Sequence, residues 1–554
     1  MGFLLQSGKT LLNTSTKFNL HQTISILTTH LHTTTTRKHD QTTTILHLCN
    51  SLRRNRRNWD HWLSKKLASL ELTHNSVVEK VLLELKEPHD AKLALKLFHW
   101  LARRPNYHHG VESYCIIVHI LVRGKFLIDA RVLLESVLRK RVEGGESGFM
   151  VVEVLFGTYK RTLSIPFVFD LLVQTYSKLR MFDVAFDAWK YLEENRVSCS
   201  LVSFNKLIHL VQKSDKNVLV WKIYEYMIKK RTYPNQFTVS TMINALCKEG
   251  KLQDSVDILD RIHGKRCSPG VIVNTSLIFR VIEEGRIDDG IVYLKRMLQK
   301  NMIIDDVAYS LTIYARYKSE KFNLESGQKL FDEMLSRGIS SNSFLYTLFI
   351  GAHCKEGTID EANWLMEEMK VKGLRPYDET FNVLIEGCAR VGRFEESLSF
   401  CEEIVKRGLL PSCSVFNEML RKLCETKYLY RANEMLSVLL DKGFLPNEIT
   451  YSYLIDGYGR QGEIHEVLKL YHEMEYRSDS SPGLLTYASL LRSLCECDKL
   501  KEAEKYLAIM KDRSVTPTSY VYQMLIDSHY KKGDTERALQ LKEEMVRSKL
   551  EPVI

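Results

Sequence analysis

Proline and glycine are scarce, at 11 and 27 of 554 residues. That excludes a collagen-like chain and argues against a turn-dense all-β fold. Long apolar runs are missing as well. The nearest, around Tyr114–Val122, is short and holds His119, so a membrane-spanning helix is not expected. Twelve cysteines in a chain of this length make no disulfide scaffold. Acids are nearly missing from the first 58 residues, which carry eight basic groups, from Lys9 to Arg57, against Asp40 alone. Beyond residue 58 excess charge is what is lacking: 70 basic against 67 acidic residues leave only +3 of the net +10. A strongly basic nucleic-acid-binding surface over the whole folded part is therefore not expected.

What is present divides at about residue 58. Up to there the chain is basic and rich in Thr and His, with runs such as Thr33–Thr36 and the cluster Arg53–Arg57. This composition predicts an organellar transit peptide over 1–58, disordered on its own and mitochondrial rather than chloroplast in type. Two apparent motifs in it fail. Gly2 to Lys9-Thr10 imitates a phosphate-binding loop but has five residues between its glycines where four are needed. Gln6 stands where a myristoylation signal needs Ser or Thr.

The rest is periodic. Gly338, Gly373, Gly408 and Gly443 are 35 apart, and Gly250, Gly285, Gly357, Gly392 and Gly462 form a second phase. Eight of the eleven prolines, from Pro234 to Pro552, keep the same step of 35 or 36 or a multiple of it. In one unit Tyr451, Leu454, Ile455 and Tyr458 recur at helical spacing, Gly462 follows, and Ile464, Val467, Leu468 and Tyr471 repeat the spacing. Each unit therefore reads as two antiparallel helices, the first ended by a left-handed glycine and the second followed by proline. Such a pair cannot bury its apolar face alone, so neighbours stack. Units start at 166, 201, 236, 271, 306, 343, 378, 413, 448, 484 and 519, the one at 306 carrying two extra residues around Lys318–Leu324. Residues 59–165 read as degenerate N-terminal repeats (76–110 and 111–145) and a further helix. Cys247, Cys354, Cys424 and Cys495 share one register position, expected to be core.

The recurring Thr-Phe-Asn-Val-Leu-Ile (380–385), Thr-Tyr-Ser-Tyr-Leu-Ile (450–455) and Leu-Phe-Asp-Glu-Met (330–334) closely resemble the pentatricopeptide repeat family, over nearly everything after residue 75. The resemblance implies an all-α, right-handed α-solenoid of 35-residue helix–turn–helix repeats, with eleven consecutive repeats over 166–554. It also implies a plant organellar protein of the P-type subclass that binds single-stranded RNA, one base per repeat. No cofactor is implied. The family's deaminase tail needs His-x-Glu and Cys-x-x-Cys, but Cys495-Glu-Cys497 is one residue too tight, and the last unit ends at Val553. A non-catalytic protein acting on an organellar transcript is expected, in stabilisation, processing, splicing or translation, with RNA-processing proteins as further partners. The alternative is a protein–protein scaffold, for example one associated with the ribosome.

In the family two residues per unit face the base: one after the aromatic position of the first helix, and the unit's last residue. Carried over, the informative pairs are Asn205/Asn235, Thr275/Asp305, Ser310/Asn342, Asn382/Ser412 and Asn417/Asn447. A carboxylate only accepts, so Asp305 suits a base with a ring N–H; a terminal Asn can donate, so it suits adenine or cytosine. Thr275/Asp305 then reads G, Ser310/Asn342 reads A, and the other three read pyrimidine. Pairs such as Thr347/Tyr377 and Ser452/Gly483 carry little information. The family also packs bases between apolar residues at the second place of successive units, here Val202, Phe237, Ile272, Val307 and Phe344, continued at Ile449, Leu485 and Tyr520. Glu379 and Ser414 break that row, and Glu379 would repel phosphate.

Overall fold

A computed structural model describes residues 43–54, 75–548 and 550, except 105–106, 146, 320–323, 425, 427 and 477–480. The expected address up to residue 42 and Val553 of the last unit lie outside these. All regular structure among the described residues is helical, with no strand among them. The chain forms two compact bodies, Met1–Gly250 and Lys251–Ile554.

The first body starts earlier than residue 59. A helix over 43–54 buries Leu48, Cys49 and Leu52, and the Arg53 guanidinium donates to the Asp90 carboxylate at 2.8 and 3.0 Å. Arg53, assigned to the basic address, is thus a structural residue. Helix pairs Asn75–Glu84 with Ala91–Ala102, and Val111–Arg123 with Leu127–Glu143, fill the two weak N-terminal units. The single helix Met150–Tyr159 follows, where the phase breaks. Regular units then run as first and second helices, beginning with Phe167–Lys178 and Phe182–Glu194.

The two glycine phases mark the two helix ends of each unit. Gly462 has φ 77° and Gly408 φ 73°, the left-handed conformation that ends a helix and that only glycine adopts without cost. Units without the glycine make the same turn with another residue, as at Arg180, Asp215 and Ser514. In the unit that starts at 448, Tyr451, Leu454, Ile455 and Tyr458 are buried as their spacing requires. The second helix is turned from its expected face: Val467, Leu470, Tyr471 and Met474 are buried, while Ile464 and Leu468 are only partly covered. Those side chains join one continuous core that runs from Ile350 to Met545. Fully burying each leucine-sized side chain stabilises by about 1.5–3 kcal/mol. The stacking of neighbours, rather than any single hairpin, therefore supplies the stability.

Cys354 and Cys424 lie in this core, and burial pushes the Cys354 thiol up to about 12. Cys247 and Cys495 keep the register position without the expected burial, Cys495 being only partly covered; Cys247 is the clearer departure. It sits in the last turn before Gly250, where the first body ends, and it is exposed.

Candidate nucleic-acid interface

The last residue of a unit is also the residue that caps the next unit's first helix. Ser200, Asn235, Asn342, Ser412 and Asn447 each accept a hydrogen bond from the backbone N–H three residues on. Capping alone accounts for the choice of Ser or Asn there. It also fixes the amide, because the backbone N–H must meet the side-chain oxygen.

The paired residue then closes on the cap. Asn205 Nδ2 donates to Asn235 Oδ1 at 3.1 Å, and Asn417 Nδ2 donates to Asn447 Oδ1 at 2.9 Å. Thr238 and Thr450 hydroxyls donate to the Oδ1 of Asn205 and Asn417, at 2.6 and 2.7 Å. Asn342 Nδ2 donates to Ser310 Oγ at 2.9 Å, and Ser412 N–H donates to Asn382 Oδ1 at 3.0 Å. Every oxygen of Asn235 and Asn447 is engaged in these bonds. At Asn235 and Asn447, which are exposed, the group left over is the Nδ2 donor, the polarity that a ring nitrogen of adenine or cytosine requires, whereas Asn342 is buried and spends its Nδ2 on Ser310.

Thr275/Asp305 is built otherwise. Thr275 is buried, and its hydroxyl has no hydrogen-bond partner. Asp305 opens its helix one residue inside the cap, at Asp305–Lys318, and is exposed. An acceptor thus stands at this step where its counterparts present donors. Gly270, the last residue of the unit at 236, is not a cap but lies inside the helix Pro269–Glu283. Gly483 has no side chain to cap with. Glu448 of the preceding unit does it instead, accepting from the N–H groups of Leu485 and Thr486 at 2.8 and 3.1 Å.

The packing row is only partly open. Val202 is 70% exposed, Phe237 48%, Leu485 50% and Tyr520 46%. Ile272 is half-buried, and Val307 and Phe344 are closed, at 0% and 8%. The expectation that these two stand open for bases is corrected, and the cause is the helix Leu252–His263. The register makes it the second helix of its unit. In the second body it packs on the first helices Pro269–Glu283, Asp305–Lys318 and Ser343–Glu356. Beneath it Phe344 also meets Phe279 and Tyr314, with ring centroids 6.0 and 5.7 Å away.

A cationic row at the other end of the same first helices was missed in the sequence, although it keeps the 35-residue phase. Lys178, Lys213 and Lys248 hold it in the first body; Lys318, Lys355, Arg390, Arg460 and Lys531 hold it in the second. All are exposed. They stand eight residues beyond the first-helix member of each expected pair, about 12 Å along the helix axis. Several are engaged in surface ion pairs, such as Lys178 with Glu135 and Lys318 with Glu283. Such pairs contribute roughly 0–1 kcal/mol and exchange readily.

The PPR repeat family profile matches residues 200–248, 341–390 and 482–530, and single PPR repeat profiles match 237–267, 379–409, 442–475 and 520–550. The chain belongs to the pentatricopeptide repeat (PPR) family. A mitochondrial PPR-containing protein of Arabidopsis thaliana is 46% identical over 208 residues, 37% of this chain and 37% of the relative. A putative PPR-containing protein from the same plant is 34% identical over 188 residues, 34% of this chain and 23% of the relative. The Arabidopsis small ribosomal subunit protein mL103 is 22% identical over 219 residues, 39% of this chain and 52% of the relative. The matched stretches thus span between about a quarter and a half of these relatives' lengths. Among solved structures, the PPR protein PPR10 from maize is 17% identical, with a TM-score of 0.37, covering 93% of this chain and 89% of that one.

Proposed function

We propose that this PPR protein binds single-stranded RNA in a sequence-dependent manner in mitochondria and acts there by occupying a transcript, without catalysis. One observation carries the reading. Capping and pairing consume the oxygens of Asn235 and Asn447 and leave their amide donors, while Asp305 presents an acceptor. A row that only capped helices would not need the second, pairing asparagine. The exposed apolar row supplies surfaces for bases, and the cationic row supplies charges for phosphates. The name of the mitochondrial Arabidopsis relative and the basic N-terminal segment support the compartment.

RNA selection from a random pool by the full chain tests this. A recovered consensus of pyrimidine-N-G-A-N-pyrimidine-pyrimidine, with N an unselected step, is expected. Retention of RNA without a consensus, or no retention, would favour the scaffold reading, to which the likeness to a ribosomal protein points.

A further inference from the structure

Tyr377 and Glu379 fit the RNA-reading pattern worst: one is too large for a base-facing position, and the other is an acid in an apolar row. Both have partners on the Leu252–His263 helix. Arg261 donates to Asp378 at 3.1 Å and to Glu379 at 2.6 Å. Its guanidinium also lies over the Tyr377 ring, 4.9 Å from the centroid. The Tyr377 hydroxyl donates to Asp260 at 3.3 Å. One helix turn on, His263 meets Asp306, beside the closed Val307. Towards the other end, Ser276 Oγ donates to Ser255 Oγ at 2.7 Å. The buried face of the helix is Ser255, Leu259 and Ile262, while Asp254, Asp257 and Asp260 are exposed.

From this we infer that the Leu252–His263 helix is a removable plug. It covers the base-packing row of the units that start at 271, 306 and 343, and Tyr377, Asp378 and Glu379 are its latch. The inference rests on the RNA reading above. The plug occupies the places of the nucleotides read by Thr275/Asp305 and Ser310/Asn342, and its exposed aspartates repel phosphate there. RNA and plug therefore exclude each other at the G and A steps, while the pyrimidine steps of Asn382/Ser412 and Asn417/Asn447 stay open. A transcript would first be held at the open steps and would gain the other two only when the latch releases. The two breaks in the family pattern then have one cause.

The test uses the full chain with Ser255→Cys and Ser276→Cys, whose present oxygens are close enough for two sulfurs to bond in their place. RNA selected by the reduced protein is footprinted against the reduced and oxidised forms, with oxidised wild type as control. The oxidised variant should lose protection of the G and A nucleotides and keep that of the flanking pyrimidines. A second variant, Arg261→Glu, breaks the latch without a cross-link. It should bind the selected RNA about tenfold more tightly, although removing a cation by itself weakens RNA binding. Equal footprints in both redox states, failure of the cross-link to form, or weaker binding by Arg261→Glu would each overturn the plug. If the reduced protein and wild type retain no RNA at all, the RNA reading itself has failed, and the plug's role falls with it.

Discussion

At the residue scale, the sharpest contrast is between Asp305 and its asparagine counterparts. Asp305→Asn keeps size but removes the negative charge and replaces an acceptor-only group by one that can donate. Preference at that one nucleotide should move from G towards A. A hydrogen bond lost and one gained are each worth on the order of 1 kcal/mol, so a shift of roughly tenfold in relative affinity is expected in selections with wild type and variant. Loss of all binding without a change of base would remove Asp305 from the reading set. His119 offers a second residue-scale test, independent of RNA. It broke the apolar run in the sequence, yet it is fully buried, with Nε2 2.9 Å from the Leu155 carbonyl and 3.1 Å from the Thr158 hydroxyl. Burial holds its pKa at about 4, below the ordinary 6.5. The unfolded chain thus takes up the proton first as pH falls. Stability from this group is complete above pH 6.5 and is lost between pH 6.5 and 4, at about 1.4 kcal/mol per pH unit. His119→Gln should remove that much from the pH slope, measured by hydrogen exchange over Val111–Arg123. An unchanged slope would show that His119 is not buried in its neutral form.

At the scale of the element, the sequence spacing disclosed nearly every helix, because glycine or proline punctuates most units. It misplaced the buried face of the 464–476 helix, since an apolar stripe four residues wide fits two neighbouring rotations and only packing chooses between them. Four of the five informative pairs meet in space, Asn205/Asn235, Ser310/Asn342, Asn382/Ser412 and Asn417/Asn447, but the spacing could not show that the last residue of a unit is also a helix cap. The open and closed parts of the packing row were not legible at all: what closes Val307 and Phe344 is a tertiary contact made by an element more than forty residues away from either. The helix ends permit a direct test. Gly408 and Ser514 hold the same register position, and both are left-handed, at φ 73° and 60°. Ser514→Gly should stabilise its unit by up to about 1 kcal/mol, and Gly408→Ala should destabilise by about 1–2 kcal/mol. Urea unfolding of the two variants reads both signs; equal effects would mean that the turn is not what ends these helices.

For the whole molecule, the question is how a chain with so little net charge beyond residue 58 could hold a polyanion. The formal balance of +3 hides an arrangement: the acids are spread over second helices and ion pairs, whereas one cation stands at the end of most first helices. That row also suits the negative ends of those helices, where a cation stabilises by about 0.3–1 kcal/mol, so its presence alone does not prove contact with phosphate. Salt separates the two roles. Each phosphate contact on a single strand contributes about −0.7 to the slope of log affinity against log salt, whereas a helix-end cation that touches no phosphate contributes nothing. Lys213, Lys355 and Lys531 take no part in a close ion pair with an acid among the described residues. Replacing all three by Gln should make the slope shallower by about 2 units and weaken binding alike for every sequence, with the selected consensus unchanged. Thermal stability should fall only slightly, since three exposed cations are removed. If the slope is unchanged while affinity falls, these lysines act through the fold and the phosphates are held elsewhere. If the consensus changes instead, the cationic row reads bases, and the division between a base-facing end and a phosphate-facing end of the first helices is wrong.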